Sequence, residues 1–171
     1  MLGRFGTGPP QLFFRRPEEA VNGISWPHVP AAGVLWAVVY NLIWGVAWFA
    51  FMRREWLDAM AAIKQPLPWT PQVWVVWLAL TLPIGVATMA YVLRHGRSTV
   101  VLRDVLAASM AVWVPMTMGL AGWGWQESLP LRIIAMDSTV NLVSVVAASL
   151  AGGLSQRARS HQRSTAQRQL E

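Results

Sequence analysis

The stretch at residues 131–154, LRIIAMDSTVNLVSVVAASLAGGL, decides the fold class because it is a long apolar run that carries an acid and an amide. It exceeds the roughly 20 residues with which an α-helix crosses about 30 Å of hydrocarbon. Three earlier runs have the same character, at residues 31–52, 73–93 and 105–125. Since backbone polar groups in a bilayer must be paired within the protein, each run predicts a transmembrane helix. We therefore expect an all-α fold, an integral membrane four-helix bundle.

The composition is typical of a membrane protein. Of the 171 residues, 13% are charged and 54% are hydrophobic, and the mean hydropathy is +0.38, whereas about a quarter of a soluble domain is charged. A net charge of +6 would suggest nucleic-acid binding by a soluble chain. At the ends of membrane spans, arginines instead contact anionic lipid headgroups. We expect membrane lipids as partners and no nucleic acid. The chain has no cysteine, which excludes disulfides and thiolate metal sites.

The distribution of basic residues predicts the topology. Of the 14 Lys and Arg residues, only Arg53, Arg54, Lys64 and Arg132 lie in the first and third loops. The others lie in the N-terminal arm (1–30), the second loop and the C-terminal tail, and the positive-inside rule places these segments in the cytoplasm. We expect a multi-pass protein of an inner (cytoplasmic) membrane with both termini on the cytoplasmic side.

Three segments flank the predicted spans. The arm at residues 1–30 has no signal-peptide core, and it mixes aromatic with basic side chains, which suits the membrane interface. The first outer loop places Trp56 and Met60 on one helical side, so we expect a helix along the membrane surface that ends before Pro66. The tail at residues 155–171 is basic, polar and without apolar periodicity, so we expect no regular structure from it alone.

Depth along the spans groups the polar residues inside them. With a rise of about 1.5 Å per residue, one polar residue per helix falls at a similar distance from the cytoplasmic ends: Asn41, Thr81, Thr117 and Asn141. We expect these four side chains to form one mid-membrane layer.

Asp137 lies about one helical turn above that layer. Counted in the same way, it shares its level with three tryptophans, Trp48, Trp77 and Trp123. Indole N–H groups donate hydrogen bonds and an ionised carboxylate accepts them, so these tryptophans are its expected donors. Without such partners a buried carboxylate is costly.

Two stripes run along the fourth and first spans. On the fourth, polar and small side chains recur at helical spacing: Asp137, Asn141, Ser144 and Ala148. Membrane helices approach and hydrogen-bond through such stripes, but an acid within a span is also a candidate proton carrier or ligand site, and both interpretations stay open. On the first span the stripe is aromatic: Trp36, Tyr40, Trp44 and Trp48. These rings either pack against neighbouring helices or face a flat ligand such as a lipid, quinone or pigment.

The sequence contains no recognisable catalytic constellation. Its three histidines, His28, His95 and His161, lie outside the apolar runs, and no metalloprotease, hydrolase or phosphate-loop motif occurs. We expect no enzymatic activity, no metal site and no resident cofactor, although a bound lipid or pigment fits the composition. His95, with Arg94 and Arg97 beside it, is a candidate contact for a lipid headgroup or pigment. An ordinary basic loop at a helix end is the alternative.

Several of these residues resemble a known family. The segments Asn41-Leu42-Ile43-Trp44 and Trp48-Phe49, Asp104 opening the third span, and Ile134-Ala135-Met136-Asp137 opening the fourth are similar to the domain of unknown function 1761 family. The resemblance covers about residues 31–154 and implies a small four-helix bacterial membrane protein. The long arm and the tail rich in Arg and Gln depart from the family's pattern. The resemblance implies no activity.

Two hypotheses for the function follow. The first is a non-catalytic accessory or structural subunit that docks on a larger membrane complex, of respiratory or photosynthetic type, with other integral membrane subunits as partners. It rests on the lack of catalytic motifs and on tails too polar to fold alone. The second is a small transporter, or a binding protein for a hydrophobic ligand, that uses Asp137. A cavity walled by Trp44 and Trp48 would favour the second.

Overall fold

The computed structural model describes residues 28–95 and 102–168, and for His95 and residues 156–168 it describes the backbone alone. This part of the chain forms five α-helices: α1 (Val29–Ala47), α2 (Arg53–Ala62), α3 (Pro71–His95), α4 (Leu102–Gln126) and α5 (Leu131–Arg168). Four helical units, α1 with α2 and then α3, α4 and α5 singly, are long and apolar enough to cross a membrane. The predicted all-helical class with four apolar helices is therefore confirmed.

The helices α1 and α2 form one continuous unit, joined by a π-helical turn at Trp48–Met52. At 1.5 Å per residue its 34 residues extend over about 50 Å. The sequence predicted a separate surface helix in the first loop, but residues 53–62 continue the first helix without a break. They contain neither Gly nor Pro, and their apolar face, with Trp56 and Met60, is buried.

The aromatic stripe of the first span extends along this whole unit. Buried residues follow one another at steps of four: Trp36, Tyr40, Trp44, Trp48, Met52, Trp56 and Met60. In an α-helix of 3.6 residues per turn, each step of four turns the stripe by about 40° around the axis. The π-helical turn, which is wider, compensates for part of that rotation. The buried face therefore stays directed at the other helices.

Left-handed residues end two of the helices. Lys64 follows α2 with a φ of 55°, and Ser128 follows α4 with a φ of 58°. In each case the next backbone N–H bonds to the carbonyl five residues back, at 3.0 and 2.8 Å. This pairing satisfies carbonyls at the helix end and reverses the chain within a few residues.

The helices form a ring in the order α3–α1–α5–α4. Packing is extensive between α1 and α3, between α1 and α5, and between α4 and α5, whereas α3 and α4 pack loosely. Gly152 of α5 lies beside Ala32 of α1, and we call this the terminal end of the bundle. The opposite end, which contains Trp56, Trp69 and Leu129, is called the tryptophan end.

Two glycines form the closest approach between α1 and α3. A Cβ atom added at Gly33 would lie 2.7 Å from the backbone of Val86, and one added at Gly85 would lie 2.6 Å from the carbonyl oxygen of Gly33. Helices in membranes approach this closely where small residues face each other. This crossing was not predicted from the sequence.

The fifth helix continues past the predicted end of the fourth span. We expected no regular structure beyond residue 154, whereas the backbone of α5 is helical to Arg168. Residues 155–168 contain no Gly or Pro and are rich in Gln, Arg and Ala, which have high helix propensity. The predicted N-terminal arm, up to residue 27, lies outside the described residues.

The outward faces of the bundle are apolar. On α1 the exposed residues include Val34, Val38, Leu42 and Val46, and on α3 they include Val75, Val76 and Leu80. A soluble bundle carries polar side chains on its outer face. Contiguous exposed apolar surface of this kind is suited to contact with lipid chains.

Candidate functional site

The aromatic stripe of α1 and the polar stripe of α5 pack against each other. Three hydrogen bonds join the two helices. The Tyr40 hydroxyl donates to Asn141 Oδ1, Trp44 Nε1 donates to Asp137 Oδ1 at 3.3 Å, and Trp36 Nε1 donates at 3.0 Å to Oγ of Ser149, which follows the stripe residue Ala148 and was not predicted. All six residues are buried. Because the helices are antiparallel, positions that rise along α1, 36, 40 and 44, meet positions that fall along α5, 149, 141 and 137. The two stripes therefore form one interface. The rings of α1 pack against a neighbouring helix, which is one of the two interpretations proposed from the sequence.

Asp137 lies at the centre of this interface and is 3% exposed. Its Oδ1 accepts hydrogen bonds from Trp44 Nε1 and from Asn141 Nδ2, the latter at 3.0 Å. Its Oδ2 accepts none from the residues that the structure describes. The predicted donors were different: Trp48, Trp77 and Trp123. That prediction is wrong, because the donor lies one turn nearer the terminal end than expected.

The four side chains predicted to form one mid-membrane layer do not make a single hydrogen-bonded network among the described residues. Asn41 Nδ2 donates to Thr81 Oγ1 at 2.9 Å, and this pair joins α1 to α3. Asn141 instead belongs to the network around Asp137. Thr117 Oγ1, on α4, is buried and has no partner among the described residues. Asn41 follows Tyr40 directly on α1, so the two side chains point to different neighbouring helices.

The remaining residue of the polar stripe, Ser144, has a packing role. It is fully buried and donates to the carbonyl of Val140 in its own helix at 2.8 Å. Ala148 is buried as well. Small side chains at these positions allow α5 to lie close to the large rings of α1.

Six tryptophans gather at the tryptophan end: Trp44, Trp48, Trp56, Trp69, Trp74 and Trp123. Trp44 stacks on Trp48 with ring centroids 5.5 Å apart, and Trp56 stacks on Trp123 at 5.9 Å. Trp69, in the loop before α3, contacts four of the other rings at 5.2 to 6.3 Å. Trp69 thus joins the loop to three helical segments.

Sequence reasoning missed Trp69 and Trp74. Both lie near the start of a span, where a tryptophan is ordinarily an interfacial anchor. A signal was nevertheless present, since Trp69 stands between Pro68 and Pro71 in a short loop that must lie close to the helix it leaves.

Trp77 of α3 packs against the aromatic stripe of α1. It is half-buried and tilts against Tyr40 at 6.2 Å, and Tyr40 in turn stacks on Trp36 at 5.2 Å with nearly parallel rings. The indole nitrogens of Trp69 and Trp77 are buried and have no partner among the described residues.

A cavity of about 410 Å³ opens where α3 and α4 pack loosely, on the side of the tryptophan end. We call it the upper cavity. Its lining residues are Trp44, Pro68, Trp69, Val73, Trp77, Pro115, Met116, Gly119, Leu120, Trp123, Asp137 and Asn141. The walls are apolar and aromatic, and the carboxylate and the amide of α5 form the polar part. Both its size and this composition are typical of ligand sites.

A second cavity of about 410 Å³ follows towards the terminal end, and we call it the lower cavity. It lies between Ile84, Thr88 and Tyr91 of α3 and Ala108 and Val112 of α4. Both cavities are bordered by Pro115 and Met116. Together they form one groove along the α3–α4 side of the bundle.

Of the basic residues proposed as a headgroup contact, Arg94 does not line this groove. Arg94 is exposed in the last turn of α3, and His95 is the last residue of that helix. Arg97 lies outside the described residues. The groove and the Asp137 network are therefore the features on which a function can be argued.

The site has the character of a binding site. Among the side chains that the structure describes, at residues 28–94 and 102–155, no group of three His, Asp or Glu is placed to hold a metal ion. No family model, no curated protein and no solved structure matches this chain. The resemblance to the domain of unknown function 1761 family stays a prediction.

Proposed function

We propose that this chain is an integral protein of a bacterial cytoplasmic membrane that binds a hydrophobic ligand in the α3–α4 groove through Asp137. The observation that carries the proposal is the upper cavity, which combines aromatic walls with one buried carboxylate. Trp44 lines it, as the binding hypothesis required, whereas Trp48 packs behind Trp44. The exposed apolar faces and the excess of arginine near both termini support insertion with both termini in the cytoplasm.

The position of the groove supports entry of the ligand from the membrane. The ring of helices is loosely packed only between α3 and α4, so the groove faces outward, towards the lipid chains, rather than along the bundle axis. A ligand already dissolved in the bilayer then reaches Asp137 without crossing water. Its apolar body contacts tryptophan rings in place of lipid, and its polar group meets a carboxylate that water does not reach.

The accessory-subunit hypothesis is a separate proposal. It rests on the sequence alone, namely on the lack of catalytic motifs, and no feature of the bundle identifies a surface for another protein. The apolar outer faces suit lipid and protein partners equally.

A cavity-filling variant tests the binding proposal. Gly119 lines the upper cavity, and a Cβ there would meet no atom within 4 Å, so Gly119→Phe can direct a ring into the groove from an uncrowded backbone position. Gly122 lies one turn further along α4, also has free space within 4 Å, and does not line the cavity, so Gly122→Phe is the matched control.

The measurement is purification in a mild detergent, followed by solvent extraction, mass spectrometry and an absorption spectrum. We expect a lipophilic compound to co-purify with the wild type and with Gly122→Phe, and to fall by about tenfold or more in Gly119→Phe, a loss of about 1.4 kcal/mol in binding. Equal amounts in all three proteins, or none in the wild type, would contradict the proposal. Stoichiometric co-purification of other membrane subunits would support the accessory-subunit hypothesis instead.

A further inference from the structure

The charge of the groove indicates the class of ligand. Among the residues that line the upper cavity, Asp137 is the one ionisable side chain, and Lys, Arg and His are absent from its lining. The nearest basic residue along α5, Arg132, forms an ion pair with Glu55 at 3.0 Å. The protein thus supplies no counter-ion to the carboxylate within the described residues.

The carboxylate is only partly satisfied by hydrogen bonds. Both bonds that it accepts end on Oδ1, from Trp44 and Asn141, and Oδ2 accepts none from the described part of the chain. Both donors are neutral. Acids inside membrane spans ordinarily pair with a cation or line a pathway for one, because an unpaired buried charge is costly.

Aromatic rings line the same cavity as this carboxylate. Four tryptophans line the same cavity: Trp44, Trp69, Trp77 and Trp123. Indole is the side chain with the strongest attraction for cations, and cages of aromatic rings with an acid recognise organic ammonium groups. A carboxylate and several indoles at one apolar site are thus complementary to a positive charge on an apolar molecule.

Resting on the proposed function, we propose that the ligand of this groove is a lipophilic organic cation, with its charged centre beside Asp137 in the upper cavity. Its apolar part extends past Pro115 and Met116 into the lower cavity, which is lined by apolar side chains together with Thr88 and Tyr91. An anion would instead have to accept hydrogen bonds from the indole N–H groups of Trp69 and Trp77, which have no partner among the described residues. It would then lie close to the carboxylate.

Two probes of equal size and opposite charge test this inference. Tetraphenylphosphonium and tetraphenylborate are added separately to the full-length protein in micelles of an uncharged maltoside detergent, and bound probe is measured by equilibrium dialysis against empty micelles. We expect saturable binding of the cation, with the affinity for the anion at least about tenfold lower.

Variants identify the residue responsible. Asp137→Asn keeps the size of the side chain and an acceptor for Trp44, but it removes the charge, so cation binding should fall by about tenfold or more. Asp58→Asn, at an exposed position of α2, is the matched control and should bind like the wild type. Gly119→Phe should also lose the cation, which keeps the test decisive if Asp137→Asn fails to fold.

The outcomes separate this inference from the proposed function. Equal binding of both probes, or cation binding unchanged in Asp137→Asn, would overturn the inference of a cationic ligand. If Gly119→Phe still loses a co-purified compound in that case, the proposed function stands. No saturable binding of either probe to the wild type would overturn the inference as well, and with no co-purified compound it would overturn both.

Discussion

The crossing of α1 and α3 gives the sharpest prediction about stability, because it depends on two glycines. In Gly85→Ala, the new Cβ would lie 2.6 Å from the carbonyl oxygen of Gly33 and 2.9 Å from Cε3 of Trp36. Favourable contacts between carbon atoms lie at about 3.5–4.0 Å. The carbonyl oxygen belongs to a helix backbone, and the Trp36 ring is held by its bond to Ser149 and by stacking on Tyr40. The strain must therefore separate the helices or displace Trp36.

The expected cost follows from these contacts. Overpacking of a tight site costs about 1–3 kcal/mol, and loss of the Trp36–Ser149 bond at 3.0 Å adds about 0.6 kcal/mol, the average for such bonds in membranes. Because Ala has a higher helix propensity than Gly, the substitution also stabilises the helix by up to about 1 kcal/mol. We expect Gly85→Ala to lower the free energy of unfolding by about 1–3 kcal/mol.

Gly45→Ala is the matched control. Gly45 lies on α1, and a Cβ there would meet no atom within 4 Å, so only the gain in helix propensity of up to about 1 kcal/mol remains. Both variants and the wild type are unfolded in mixed micelles with increasing SDS, and the transition is followed by circular dichroism. If Gly85→Ala unfolds at the same SDS fraction as Gly45→Ala, the close crossing of α1 and α3 is refuted.

Two further predictions use the same unfolding assay. Tyr40→Phe removes the hydroxyl that donates to Asn141 and leaves a buried amide oxygen without that donor, so we expect a loss of about 0.6–1.7 kcal/mol; an unchanged transition would show that this bond contributes nothing. Ser128→Gly removes the strain of a left-handed non-glycine residue after α4, so we expect the free energy of unfolding to rise by about 1 kcal/mol. Ser128→Ala should give no such gain, and equal unfolding of the two variants would contradict the left-handed turn.

The sequence was sufficient for the fold class because the apolar runs are long and end at charged or Pro-rich segments. The ends of helices were less predictable. Residues 53–62 carry two arginines at their start, which suggested the end of a span, yet Trp56 and Met60 continue the stripe of buried residues at steps of four. If the spacing of large apolar residues at steps of four had been followed past residue 52, it would have predicted the long first helix. Hydropathy alone did not predict it.

The composition of the site was also predictable, but its pairing was not. The sequence identified Asp137 and the aromatic stripe as separate features, and depth counting assigned the wrong tryptophans to the acid. Depth on the fourth span was counted from residue 154, but α5 runs on to Arg168 and has no boundary there. Asp137 lies 17 residues from residue 154, whereas Trp44, its observed donor, lies 13 residues from residue 31. The depths counted on the two helices therefore differ by four residues, which is about 6 Å along a helix.

The groove arises where α3 and α4 pack loosely, and the sequence alone did not give its position between these two helices. Pro115 borders both cavities and lies inside α4, where it removes a backbone donor and disturbs the regular ridge of side chains. Gly119, one turn further on, has no side chain to fill the space. Each residue alone is common in membrane helices. Their spacing on the one helix that packs loosely against α3 is what leaves the space open.

The two roles considered for Asp137, packing and ligand binding, are compatible because a carboxylate has two oxygens. Oδ1 joins α5 to α1 through Trp44 and is held by Asn141 on its own helix. Oδ2 has no donor among the described residues, and the side chain that carries it lines the upper cavity. An asparagine reproduces the first role with its amide oxygen but brings a neutral donor to the second. If packing were the only role, Asn would serve as well as Asp at lower cost, since it avoids burying a charge. The presence of an acid at this position therefore favours a partner that needs the charge.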